Sequence, residues 1–171
     1  YADTSDALSS YGDREKKLEI LKDPHCGAFA VIRLCTYFLA YFCFAFCIRF
    51  SPRVGLCWTL ALVLERGLSG LAVAAFPMAK NTGLAHTFAT AADRESVKKV
   101  LIVLSVLLAA ALIALGGGAL VVAALLVLWR YHHVAVKEFG GITGDLAGWF
   151  LQKAEFWMLA ALAASQWGGI L

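Results

Sequence analysis

Two aspartates stand three residues apart at the start of the sequence, in Asp3-Thr4-Ser5-Asp6. On a helix this spacing puts both carboxylates on one face, about one turn apart. Carboxylates so close repel unless a cation lies between them, and Mg²⁺ takes oxygen from one or two carboxylates plus substrate phosphates. A solvated acidic helix start explains the same spacing, and spacing alone favours that plainer reading. The second constellation is Gly140-Gly141-Ile142-Thr143-Gly144-Asp145. Its glycines let a backbone approach a ligand closely, and N–H groups at a following helix start suit phosphate, with Asp145 able to hold a metal there. A flexible loop with Asp145 as N-cap fits equally well. The run lacks the Gly-Lys-Ser/Thr ending of a P-loop, so no ATPase follows.

Glu65-Arg66-Gly67 interrupts an apolar run, where charge is costly and points to function. Arg66 can neutralise a phosphate if its span lines a cavity open to the cytoplasm. Glu65 points about 100° away around the helix, so it is a poor fixed partner, although mutual neutralisation is the plainer account. In segment 13–24, Asp13 reads as an N-cap, Pro24 as a stop, and Leu18 with Leu21 as a narrow stripe lying along an interface. Asp23 fits a turn or a polar anchor equally. The five cysteines contain no C-x-x-C pair and four lie in apolar runs, which indicates packing. The histidines lack ligand spacing with them.

These groups must be positioned by apolar elements. Of 171 residues, 61% are hydrophobic and 16% charged, with a mean hydropathy of +0.74. A soluble surface needs roughly 25% charged residues. The pattern excludes a soluble domain, a disordered chain, a nucleic-acid groove and a period-2 β-barrel. It predicts an all-α, polytopic transmembrane helical bundle, with residues 1–171 forming one integral-membrane domain. Spans are expected over 28–46, 54–76, 100–115, 119–129 and 146–171, because a bilayer core about 30 Å thick needs some 20 apolar residues. The third and fourth are short arms joined as a hairpin at Gly116-Gly117-Gly118. The chain begins at Tyr1 with no charged-then-apolar leader, and reads as a piece of a longer protein.

Alternation of five spans collects Arg14, Lys16, Lys17, Lys22, Lys80, Arg94, Lys98, Lys99, Arg130 and Lys137 on one side. The other side has only Arg49 and Arg53. The net charge of +3 matters less than this asymmetry, which orients the richer side, and the potential active face, to the cytoplasm. Apart from Glu65 and Glu155, every acidic residue falls there too. A transporter more often places its ionisable groups at the midplane.

Tyr1-Ala-Asp-Thr-Ser-Asp-Ala, with Leu18-Glu19-Ile20 and Lys22-Asp23, resembles the adenosylcobinamide-GDP ribazoletransferases, or cobalamin synthases. That family carries D-G-[aromatic or Leu]-A-D-x-x-D, then L-E-I-M-[KR]-D-S-x-x-G; Ala2, Asp3 and Asp6 fall on the first and 18–27 on the second. Arg66-Gly67, the 79–88 loop and Gly140 to Asp145, matching the family's G-G-x-T-G-D, extend the likeness over nearly the whole chain. The leading Asp-Gly is absent, Pro24-His25 replace a typical Ser-Arg, and Leu146-Ala147 alter the run after Asp145.

The resemblance implies a Mg²⁺-dependent transfer in a cell (inner or plasma) membrane, its partners being adenosylcobinamide-GDP and α-ribazole or α-ribazole 5′-phosphate. It implies Asp3, Asp6 and Asp145 as metal-binding and catalytic residues. Arg66, Gly140, Gly141, Thr143 and Gly144 would hold phosphate, with Lys80 a weaker candidate. No nucleic acid is expected; an oligomer is compatible with all of this. A CDP-alcohol phosphotransferase shares the membrane Asp cluster but needs D-G-x-x-A-R and G-x-x-x-D-x-x-x-D, which the chain lacks. A non-enzymatic transporter or assembly subunit is the other alternative.

Overall fold

The apolar runs form helices, and their polar flanks set the helix ends. The computed structural model describes residues 1–79, 93–169 and 171. Two short helices, α1 (Ala2–Ser9) and α2 (Arg14–Ile20), precede α3 (Ala28–Cys47), α4 (Pro52–Ala75), α5 (Arg94–Ala114), α6 (Gly118–Val134) and α7 (Gly144–Trp167). A single π-helical turn, Ala135–Phe139, extends α6. Ser51 caps α4 by accepting from the Val54 N–H, with Pro52 at the first helical position, where its missing donor costs nothing.

The expected arms of the hairpin are too short. The chain stays helical from Gly118 to Phe139, so Arg130, His133 and Lys137 lie on a helix and not in a loop. Tyr131 and Val134 are buried within this stretch, and an apolar count that stops at the first arginine misses them. The hairpin itself is present: Gly116 takes φ +88°, and the Gly117 N–H returns to the Leu112 carbonyl at 2.7 Å. Glycine suits that left-handed position because it has no Cβ to clash.

Among the described residues, four helices are long and apolar enough to cross a membrane: 28–47, 52–75, 94–114 and 118–139. The fifth expected span is a 24-residue helix, α7, but Asp145, Gln152, Lys153 and Glu155 make it more polar than the other four. Its position accounts for that. α7 packs against α6, α4, α3 and α1, so neighbours cover much of its surface and lipid does not have to. Its buried Leu146, Phe150, Ala154, Met158 and Leu162 recur every four residues. They meet Leu120, Ala124, Val127 and Tyr131 of α6 in one core, where the rings of Tyr131 and Phe150 stack at 5.1 Å.

α4 adds Cys57, Ala61, Leu64, Leu68 and Ala72 to this core. Its Gly67 and Gly70 let Ser105 and Leu101 of α5 come close, the small-residue packing that brings membrane helices together. α3 and α5 lie at the periphery. Phe29, Ile32, Phe38, Leu39, Phe42 and Phe46 of α3 are exposed, as are Val100, Val103, Val106 and Leu107 of α5. So much contiguous apolar surface requires lipid or another apolar partner.

Contacts between the loops define two ends. At one, Gln166 exchanges two 2.8 Å hydrogen bonds with the backbone of Arg49, and Arg53 donates to the Leu115 carbonyl. At the other, α1, α2, the segment after α4 and the glycine run before α7 come together. The alternation expected from sequence therefore holds among the described residues.

Candidate active site

Helix α1 carries the aspartate pair, with Asp3 exposed and Asp6 half-buried one turn later. Thr4, Ser5 and Ala7 are buried, and α1 packs on α3 and α7. Burial of that face leaves the aspartates at its margin. Asp6 is tightly housed: its carboxylate lies against Gly27, so a Cβ there would overlap the oxygens. Gly27 caps α3 at φ −74°, which any residue can adopt, so lack of space, not backbone strain, calls for glycine. The first and second sequence motifs thus meet at Asp6 and Gly27.

Between them α2 acts as a strap. Asp13 caps it as expected, accepting from the Lys16 N–H at 2.9 Å. The helix ends at Ile20, before Pro24. Asp23 is a turn residue: its carboxylate accepts from the His25 N–H at 2.9 Å and meets the His25 ring at 2.8 Å. That backbone N–H, and then the ring, hold Asp23 below the usual carboxylate range. Arg14 donates from Nε to the Phe139 carbonyl at 2.9 Å, and its guanidinium lies on Gly140. Lys17 pairs with Glu138. Neither anchor was found from sequence. Both span more than 100 residues, and no local spacing encodes them.

The glycine run is held by its own backbone. The N–H groups of Gly140 and Gly141 donate to Val136 and Ala135, and that of Ile142 donates to Pro77 at 2.8 Å. Ala79 returns a bond to Ile142, completing an isolated parallel bridge between Met78 and Ile142. A Cβ on Gly141 would strike the Met78–Ala79 backbone. Both glycines therefore serve close packing, and their N–H groups are already engaged. The N-cap of α7 is Thr143, whose hydroxyl accepts from Leu146, and not Asp145, which occupies the exposed first turn. The space around Gly144 is open, so a ligand could reach the start of this helix.

Asp3 and Asp6 suit a hard cation that keeps waters and takes further oxygens from phosphate. No three His, Cys, Asp or Glu among the described residues form a group able to hold a metal, so Asp145 does not complete a triad with them. Arg66 is 64% exposed, with Nε 3.5 Å from an oxygen of fully buried Glu65. The long side chain curls back around the helix over those 100°, so Glu65 is a closer partner than helix geometry suggested. Lys80 lies outside the described residues.

A sequence model of the family described as cobalamin-5-phosphate synthase matches residues 1–163. The chain belongs to this family. Adenosylcobinamide-GDP ribazoletransferase from Lachnoclostridium phytofermentans is 41% identical over 166 residues, covering 95% of this chain and 62% of the relative. Enzymes of the same name from Pseudomonas syringae pv. tomato and a Geobacillus species are each 33% identical. They cover 95% and 92% of this chain, and 66% and 62% of their own lengths. The chain thus spans a little under two thirds of these curated relatives. No solved structure matches. Within the cobalamin synthase family, the segment matched takes in the aspartate pair, the strap, Gly27 and the glycine run alike.

Proposed function

We propose that the protein joins adenosylcobinamide-GDP to α-ribazole or its 5′-phosphate, releasing GMP, at the cytoplasmic face of a cell membrane. The observation that carries this reading is the family match over 1–163, which includes both motif-bearing segments of one bundle end. In the reaction a ribose hydroxyl attacks the phosphorus attached to cobinamide. A new O–P bond forms, the bridging P–O bond breaks, and GMP leaves. Such transfers need positioning and charge neutralisation more than covalent help.

Asp3 and Asp6 would hold Mg²⁺, which when bound supplies charge neutralisation to phosphate oxygens. A carboxylate of this set also accepts the hydroxyl proton. Gly140 and Gly141 fix the loop so that Thr143, Gly144 and Asp145 sit at the start of α7, whose free N–H groups suit a phosphate oxygen. Asp145, apart from that pair, orients the hydroxyl. Arg66 keeps enough exposure to reach a phosphate, with Lys80 as a further cation. Ten basic residues against two orient this end toward the cytoplasm.

The protein is reconstituted with both substrates and Mg²⁺, and GMP and the cobamide product are measured. Asp3→Asn and Asp6→Asn should each lower turnover by more than about 100-fold with membrane insertion retained, as loss of a preorganised charge in phosphoryl transfer predicts. Asp145→Asn should also lower it. Normal rates in all three variants at limiting Mg²⁺ would overturn the assignment of the metal.

A further inference from the structure

A cavity of about 580 Å³ opens between α3 and α6 with α7 as its floor, within the size range of small-molecule sites. Trp149, Lys153 and Trp157 of α7 line it at four-residue spacing. Arg130, His133 and Lys137 follow from α6 and its π turn, and Arg33 enters from α3. The single carboxylate in the lining, Glu138, is already held by Lys17 from outside the cavity. Four fixed positive charges therefore converge on a space that lies partly at membrane depth.

Those charges are poorly compensated. Arg33, Arg130, His133 and Lys153 make no ion pair among the described residues. Lys137 comes only within 3.9 Å of Glu138, and Lys153 lies over the Tyr1 ring at 5.4 Å from its centre. Buried Trp149, 4% exposed, has an indole N–H with no partner among the described residues. Uncompensated cations at membrane depth are costly, and a polyanion neutralises them.

We propose that this cleft binds the diphosphate of a nucleoside diphosphate ester, with Arg33, Arg130, Lys137 and Lys153 on the phosphates. Trp157, half exposed beside those cations, offers the base a stacking face. A phospholipid diester brings one negative charge and leaves most of the four cations unmatched, whereas a diphosphate brings two or three. Arginine adds a planar fork that fits phosphate oxygens in pairs. The identification of the ester with adenosylcobinamide-GDP rests on the function proposed above, but the chemistry of the cleft does not.

The test uses the full protein in phosphatidylcholine nanodiscs, with GDP as the probe, followed by titration calorimetry. GDP should bind more tightly than GMP. Arg130→Gln and Lys153→Gln should each weaken GDP about tenfold, the loss of one charge-assisted contact, with the thermal melt unchanged. Arg130→Lys should recover part of the affinity and guards against a merely misfolded variant. Arg49→Gln, at the opposite end of the bundle, should leave GDP affinity intact. If GMP release fails but GDP binding still depends on Arg130 and Lys153, the reaction is wrong and the cleft stands. Unchanged GDP affinity in the folded variants overturns the cleft. So does a cleft that retains phosphatidylglycerol, by native mass spectrometry, and ignores GDP.

Discussion

At the residue scale the site depends on how little room surrounds Asp6. Its carboxylate occupies the volume that a side chain at position 27 would need. Gly27→Ala must therefore push the carboxylate off its position, while the backbone of α3 can stay as it is. Turnover should fall about tenfold or more, as misplacement of a catalytic group by an ångström does. Gly148→Ala is the matching control, since nothing lies within 4 Å of a Cβ there. It should raise stability by about 0.5–1 kcal/mol, the usual gain from replacing a mid-helix glycine. Thermal unfolding in detergent and GMP release, measured on both variants, check the pair. Equal activity in Gly27→Ala and the parent would mean that the position of Asp6 does not matter to the chemistry.

At the element scale, α2 fastens the aspartate end of the chain to the glycine run. Arg14 bonds the Phe139 carbonyl and covers Gly140, which sits at φ +73°. A Cβ on Gly140 carries two costs: the left-handed backbone, about 1–2 kcal/mol, and collision with the guanidinium. Arg14→Ala removes the collision partner. The double variant Arg14→Ala/Gly140→Ala should thus be more stable than the sum of the single losses predicts, by about 1 kcal/mol or more. Strict additivity in denaturation measurements would show that strap and loop do not touch in solution. The same reasoning explains why α2 exists at all. Its seven residues bury nothing fully, so an isolated helix of that length would not persist in water. The Asp13 cap, the Arg14 bond and the Lys17–Glu138 pair keep it folded.

At the scale of the molecule the bundle has two distinct ends, and the chemistry proposed here belongs to one of them. Ser10 and Thr143 lie at the aspartate end and Arg49 at the other. In a cysteine-free background, a membrane-impermeant thiol reagent should label Ser10→Cys and Thr143→Cys from the same side of sealed membranes, and Arg49→Cys from the opposite side. Labelling of Ser10→Cys and Thr143→Cys from opposite sides would break the shared face. The charge asymmetry further predicts that the shared side is cytoplasmic, so these two positions should react only after permeabilisation of intact cells.

Composition determined that this chain is membrane-embedded, because its polar residues cannot cover a water-facing surface, and long apolar runs without period-2 alternation made it helical. The i, i+3 aspartates, the Asp13 cap and the glycine hairpin were legible because each is a local pattern, read within about one helical turn. The resemblance that named the family rested on similarly short motifs. Tertiary structure decided the rest. The length of α6 depended on Tyr131 and Val134 finding a core beyond the first arginine, and the polarity of α7 was admissible only because four helices surround it. Arg130, His133 and Lys137 have helical spacing, yet only packing against α7 and Arg33 turns them into a cavity lining. The role of Gly27 was hidden because its demand comes from Asp6, 21 positions away in the sequence. Local patterns are fixed by bonds along the chain; these contacts exist only once helices distant in sequence share one core.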